Sequence, residues 1–412
     1  MATEKAEARP RLRERGSFIL GSMAVGHGMT HWFAQSFWVL LPKIATEMAL
    51  GPVAVGFLPT VRFAVSGVVN LPGGVIVDLL RRRWRHILAG CMLWLALAYG
   101  VLGIAPNFGV LLIAMVLVAL PGTVWHLPAI AALSRRFPER RGFALATHGV
   151  GGNVGDTLGP LLVGFLLGVI TWRGVLNLYT IPAVVMAFVV WWALHAVSGG
   201  AQARHSMREG FQRGFRLLRN RTLLGLVVAA GFRSMGFNAL LTWLPFYMKD
   251  ELGRGDWVVG IHISLLTALG LSTSQVLGAT SDRFGRKLVL VPGLVIIGML
   301  ALLLTRAGAG VGLTLVVAGI GLFFYAIQHV IIATAMDVAG KDTEATGVGI
   351  IFGLSQIFSS TSPLVAGALV GWYGIGVAFY FVGVVTLVSA AIIAILPLRR
   401  PARRGGEPKA AV

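Results

Sequence analysis

The chain has 412 residues, 56% of them hydrophobic and only 12% charged. That balance excludes a water-soluble globular fold, which cannot hide so much apolar surface, and makes lipid the solvent for most of the chain. The formal net charge of +19 does not point to nucleic acid, because the basic residues sit in short clusters between long apolar runs and not on one continuous face.

Residues 1–16 form a polar tail carrying Lys5, Arg9, Arg11, Arg13 and Arg15, expected to lack structure. The apolar stretch that follows, 17–41, has full spanning length and no small-residue cleavage site behind a short core, so it reads as a membrane helix and not a signal peptide. A crossing needs roughly 20 apolar residues. Eleven more stretches meet that length: 53–79, 87–105, 108–133, 142–170, 174–197, 222–247, 257–281, 287–305, 311–338, 345–371 and 375–397. The expected class is an all-α integral membrane protein with twelve transmembrane helices. They form two six-helix bundles, 17–197 and 222–397, joined by a linker over 198–221 and closed by a polar tail over 398–412.

Ionisable groups inside these stretches are costly, about 2.5–3.5 kcal/mol for a central charge, so each needs a reason. In chain order they are His27 and His31 on the first helix, Arg62 on the second, His126 on the fourth, and His148 and Asp156 on the fifth. Arg233 follows on the seventh, His262 on the eighth, and His329, beside Gln328, on the tenth. Helices 3, 6, 9 and 12 have none in their middles. At a rise of about 1.5 Å per residue, His31, Arg62, Asp156, Arg233 and His329 fall roughly 18–24 Å in from the basic end of their helices. They therefore form one layer. Cys91, the single cysteine, lies in an apolar run, so neither an intramolecular disulfide nor a cysteine metal cluster is available. No metal and no cofactor are expected.

Orientation follows from the loops. With the N-terminus inside, 28 of the 35 Lys and Arg face the cytoplasm, and five, Lys43, Arg173, Lys249, Arg254 and Arg306, face outward. Both termini are therefore expected in the cytoplasm. In the linker, Phe211, Phe215 and Leu218 recur at helical spacing among arginines, which predicts an amphipathic helix on the inner membrane surface, held partly by anionic lipid.

The two halves repeat. Asp78 matches Asp282 and Gly56 matches Gly260 at an offset of 204, while Pro42/Pro245, Pro160/Pro363 and Gly164/Gly367 match at 203. A constant offset across several helices signals a parallel six-helix duplication, the arrangement in which two bundles rock about a midplane site.

Two loops carry the strongest motif: GVIVDLLRRRWR over 74–85 and GATSDRFGRK over 278–287. Each sets a glycine (Gly74, Gly278) four residues before an aspartate (Asp78, Asp282), and the second continues through Arg283, Gly285 and Arg286. Physically, the leading glycine is expected to let helices approach closely, and the aspartate to meet a helix terminus or an arginine at a gate. The pair resembles the signature loop of the major facilitator superfamily, with Leu80 and Arg82 departing from it in the first copy. VWHLP over 124–128, VGGNVGDTLGPLL over 150–162, and His27 four residues before His31 further resemble the fosmidomycin-resistance branch of that superfamily. Here His31 and Pro128 stand where that branch has acids.

The resemblance implies alternating-access, proton-driven export of a small anionic compound by a functional monomer in the bacterial inner membrane, and no enzymatic activity. Arg62, Arg233, His31, His126, His329 and Gln328 are the expected substrate contacts, because guanidinium forks clamp carboxylate or phosphonate. Asp156, His27, His31 and His148 are the expected proton-coupling groups, imidazoles in general titrating near neutrality. Arg62 has a second expectation, an internal ion pair with Asp156, the expected titrating carboxylate, whose partner is either His31 or Arg62. Uptake of a carboxylate or inorganic anion, and a polytopic membrane enzyme whose histidines bind haem or metal, are the alternatives.

Overall fold

The computed structural model describes residues 11–79, 83–195, 197, 219–339 and 353–398, the side chains of 72–79 and 339 excepted. Every regular element among them is helical. The first half comprises α1 (Gly16–Glu47), α2 (Pro52–Leu79), α3 (Trp84–Gly103), α4 (Phe108–Arg136), α5 (Arg141–Leu166) and α6 (Trp172–Ala193). The second comprises α7 (Arg221–Phe246), α8 (Asp256–Phe284), α9 (Arg286–Leu303), α10 (Val311–Ala339), α11 (Ser362–Tyr373) and α12 (Val377–Ile395), with residues 353–360 also helical ahead of α11. Nine of the described helices are long and apolar enough, by length and composition, to cross a membrane.

Boundaries shift where local chemistry overrides hydropathy. The first helix runs on past Pro42 to Glu47, six residues beyond the expected stop. Pro42 has no N–H to give the Trp38 carbonyl, Thr46 donates its hydroxyl to the Pro42 carbonyl at 2.9 Å, and the helix ends where Ala49 takes a positive φ of 49°. Part of the expected tail is ordered too: Leu12–Glu14 form a short 3₁₀ turn, closed by the Arg11 amide donating to the Glu14 carboxylate at 3.0 Å. The amphipathic linker helix falls on 198–218, outside the described residues, as do 1–10, 80–82 and 399–412.

The same neighbours recur in each half. In the first, α1 lies on α5, α2 on α4, and α3 on both α4 and α6. In the second, α8 lies on α10, α9 on α10 and α12, and α7 on α12 and α11. Apolar side chains of α3 and α6, such as Leu97, Ile181, Val185 and Phe188, point outward, which fits the peripheral position expected of helices without central ionisable groups.

The halves meet along two seams, α5 against α8 and α2 against α11. A Cβ added to Gly56 would lie 2.1 Å from the Pro363 carbonyl oxygen, and one added to its repeat mate Gly260 would lie 2.5 Å from the Pro160 carbonyl oxygen. Pro160 and Pro363 are themselves repeat mates. The pair Gly164 and Gly367 behaves alike, backing onto the carbonyls of Asp256 and Pro52. The duplicated glycines and prolines are therefore the two pseudo-symmetric seams, where absent side chains let backbones touch. These contacts sit at the end of the bundle away from the termini. Lys43 of α1 and Asp256 of α8 pair there at 3.1 Å.

Candidate functional site

The site begins with a stripe of glycines. A Cβ on Gly151 would fall 2.0 Å from the Ala24 carbonyl oxygen, and one on Gly155 would fall 1.9 Å from that of Gly28. Helix α5 therefore rests directly on the backbone of α1, closer than any larger residue allows. Gly152 leaves the space that the His27 ring fills, since a Cβ there would lie 2.6 Å from its Cε1. This contact brings two polar residues of α5 onto the histidines of α1.

Each imidazole is held by its Nδ1. His27 Nδ1 donates to the His148 carbonyl at 2.8 Å, and His126 Nδ1 donates to the Gly122 carbonyl at 2.7 Å. His31 Nδ1 meets the Asp156 carboxylate at 2.9 Å. A carbonyl or an ionised carboxylate can only accept, so these bonds place a ring proton on Nδ1, and in the neutral imidazole Nε2 is then a lone pair. The three Nε2 atoms converge: His27 to His126 is 3.1 Å, and His31 to His126 is 3.4 Å. His148 stacks on His27 with centroids 4.0 Å apart and donates its own Nδ1–H to the Met23 carbonyl at 3.2 Å. Its Nε2 is buried without a partner.

Asp156 has a second attachment. Its side chain serves α1, while its backbone carbonyl accepts from Thr267 of α8 at 3.2 Å. One turn away, Ser264 donates to the Thr157 carbonyl at 2.6 Å. The residue that orients His31 is thus tied by its backbone to the opposite half.

Arg62 is not paired with Asp156, one of its two sequence expectations. Its guanidinium donates to the Ala34 carbonyl at 3.4 Å and lies 5.8–6.0 Å from the ring centroids of Phe37, Trp38 and Phe63. Asp156 takes His31 instead, because the glycine stripe of α5 sets it against α1. Arg233 is buried, at 6% exposure, in the other half. It donates to the Phe324 carbonyl and sits 4.6 Å and 5.3 Å from the Phe324 and Phe237 centroids. Its Nε has no partner, and neither arginine has a carboxylate among the described residues. Beside it, the Tyr325 hydroxyl accepts from Gln35 Nε2 of α1 at 3.1 Å, a bond between the halves.

The remaining expected residues are dispersed. Gln328 Oε1 is buried and unpartnered, and no hydrogen bond joins His329 to His126 among the described residues, although they are repeat mates. His262 is occupied locally by the Val258 carbonyl and the Thr314 hydroxyl. At the termini-bearing end, Arg286 bridges Asp282 and Asp337, the latter at 2.9 Å, all within the second half. Arg283 lies over the Phe284 ring at 5.1 Å. Among the described residues nothing lies within 4 Å of a Cβ placed on Gly278, so the close approach expected there is not seen among them. The surroundings of Gly74 and the side chain of Asp78 lie outside what is described.

Sequence reasoning missed Gln35, Tyr325 and Asp337. Tyr325 carried a usable signal, a phenol in an otherwise apolar run only four residues before His329.

Comparison with known proteins agrees with this architecture. The family model described as Major Facilitator Superfamily matches residues 23–360 and 258–411. The chain is 23% identical to the fosmidomycin resistance protein of Escherichia coli over 68% of each chain. It is also 23% identical to the cis,cis-muconate transport protein of Acinetobacter baylyi, over 86% of this chain and 88% of that one. Among solved structures it matches the nucleoside transporter NupG with a TM-score of 0.78 and 12% identity, covering 92% of this chain and all of that one. A bacterial homologue of the human lysosomal transporter Spinster matches with a TM-score of 0.73 and 16% identity, covering 94% and 96%.

Proposed function

The chain belongs to the major facilitator superfamily, a family of multi-pass secondary transporters, and we propose that it exports a small anionic compound at the expense of the proton gradient. The observation that carries the anionic class is Arg233. A guanidinium is always charged, and this one is buried with only a carbonyl and two ring faces for company. Its Nε–H is a charged donor without an acceptor, beside an inter-half hydrogen bond, in the layer where alternating-access proteins hold their solute. A carboxylate or phosphonate supplies the missing acceptors in the fork geometry that arginine favours. Arg62, equally without a carboxylate among the described residues, offers a second guanidinium from the first half.

Export is supported by the helix 1, 4 and 5 motifs and by the likeness to a fosmidomycin resistance protein. Carboxylate uptake is the second reading, supported by likeness to proteins named for transport of muconate and, at 26% identity over 81% of the chain, 3-(3-hydroxy-phenyl)propionate. Membrane vesicles of both orientations, loaded with radiolabelled carboxylates and phosphonates under an imposed pH gradient, separate the two. Transport of cationic or neutral solutes alone, with anions ignored, would reject the anionic reading in either direction.

A further inference from the structure

We propose that His27, His31 and His126 form a binding site for a divalent transition-metal ion, with their three Nε2 atoms as ligands. The argument starts from an unfavourable arrangement. Three neutral imidazoles whose Nδ1–H groups are all committed elsewhere present three lone pairs to one another inside an apolar bundle. Lone pairs repel, and the partial burial of the cluster limits how far solvent screens them. One shared proton can join a single pair of rings and leaves the third lone pair opposed. A cation at the centre satisfies all three.

The spacing fits a metal. Ligands bound at the roughly 2.0–2.1 Å usual for zinc–imidazole bonds lie about 3.3–3.4 Å apart at tetrahedral angles. The Nε2 separations are 3.1 Å and 3.4 Å, and the ligand nitrogens of all three residues lie within 4.8 Å of one another. The surroundings fit as well. Metal-bound histidines characteristically donate their other ring nitrogen to a carbonyl or carboxylate, which fixes the tautomer and aims the ligand. All three do so here, to His148, Gly122 and Asp156. His148 acts as a positioning residue: its carbonyl holds His27, and its ring stacks against it.

The donor set selects the ion. Three imidazoles without thiolate suit zinc, nickel, cobalt or copper(II), and not calcium or magnesium, which require oxygen ligands. Three protein ligands leave a fourth position for an oxygen donor, and the cluster opens at His31, whose side chain is 28% exposed against 7% for Asp156. Every ligand comes from α1 or α4 of one half, so rocking of the halves does not dismantle the site. Neither Arg62 nor Arg233 takes part, so the site stands or falls independently of the anionic solute.

Full-length protein purified in detergent and stripped with chelator is titrated with Zn²⁺, and bound metal is measured after desalting. One zinc per chain is expected, and Co²⁺ in its place is expected to give the intense visible bands of a four-coordinate site. His126→Ala should abolish both signals. Asp156→Asn, which weakens the carboxylate behind His31, should lower affinity about 10–100-fold. His262→Ala, a histidine outside the cluster, should bind as the unaltered chain does. Absence of stoichiometric zinc and of the cobalt bands from the unaltered chain overturns the proposal, whether or not any variant folds. So does zinc that survives replacement of both His27 and His126.

Discussion

The Lys43 ammonium of α1 lies 3.1 Å from the Asp256 carboxylate of α8, an ion pair that joins the two halves at the end away from the termini. Asp256 is also held by Lys249 of its own half, so it is fixed in place whether or not Lys43 is present. Lys43 is 41% exposed at its side chain, which limits such a pair to about 0.2–1 kcal/mol. Lys43→Met should therefore shift the balance toward opening at that end by up to about fivefold. The shift is measurable as maleimide labelling of a cysteine placed at Ser264, a buried residue of α8 whose hydroxyl reaches the Thr157 carbonyl of α5. The background is low because the only native cysteine, Cys91, is buried. An unchanged labelling rate would mean the pair does not hold that end shut.

The seam glycines should act more strongly, because they obstruct closure by volume and not by charge. Gly56→Ala places a methyl 2.1 Å from the Pro363 carbonyl oxygen, and Gly260→Ala places one 2.5 Å from that of Pro160. Since Cβ atoms do not tolerate backbone oxygens at such distances, the helices must part by roughly 1 Å to accommodate either, disrupting packing on which these interfaces depend. Both variants should slow transport by roughly tenfold or more and raise labelling at position 264 above the level seen for Lys43→Met. As repeat mates they should match each other. Gly371→Ala, where a methyl meets open space, is the control. Wild-type turnover in both seam variants would mean that the closed seam is not visited during transport.

The two glycines of the 278–287 loop have different physical roles. Gly285 takes a φ of +109°, a conformation that side chains rarely adopt, and it turns the chain from α8 into α9. Gly278 has an ordinary helical setting, with nothing within 4 Å of a Cβ there among the described residues. Gly285→Ala should cost about 1–3 kcal/mol and loosen the turn that presents Arg286 to Asp282 and Asp337. Gly278→Ala should be neutral or stabilising by up to about 1 kcal/mol through helix propensity. Thermal unfolding in detergent reads both effects. Equal destabilisation by the two variants would show that Gly278 packs closely in another state of the cycle.

How far the fold could be read from sequence depended on which property carried the information. Hydropathy locates membrane helices because lipid imposes a length and an apolar composition, and the lack of central ionisable groups on helices 3 and 6 agrees with the apolar side chains that α3 and α6 turn outward. The repeat was legible too, from Gly56/Gly260 and Pro160/Pro363, but not its meaning. A constant offset reveals duplication, whereas only coordinates show that these residues touch one another across the halves. The site was half legible. Intramembrane cost singled out all four clustered histidines and Asp156, and depth counting put His31 level with Asp156. What sequence cannot supply is rotation about each helix axis: it left Asp156 free to meet Arg62 or His31, and the glycine stripe of α5 decides for His31. It equally could not show three Nε2 atoms pointing at one another. Gln35 and Tyr325 were missed because an uncharged amide or phenol within an apolar run is ordinary until it is found bonded across two halves.

The strongest test of the anionic reading is a substitution that keeps the charge. Arg233→Lys retains a cation in the same buried place, so a site that merely needs positive potential should tolerate it. A lysine ammonium, however, is a point charge without a planar fork. It can satisfy the Phe324 carbonyl that Arg233 now holds, but only by turning away from the unpartnered position at Nε. Lost charge-assisted hydrogen bonds of this kind are worth about 1.5–3 kcal/mol each, or roughly 10–150-fold in affinity. Arg233→Lys should therefore weaken binding of a carboxylate or phosphonate by at least tenfold, with helix content and thermal stability preserved. The ring faces of Phe237 and Phe324 accept either cation, so stability alone does not distinguish the residues. Binding is read by scintillation proximity with a transported anion, alongside Arg233→Met, which removes the charge and should abolish binding. Should Arg233→Lys bind as tightly as the unaltered chain, the guanidinium fork has no solute to hold, and Arg233 is a structural tie between α7 and α10.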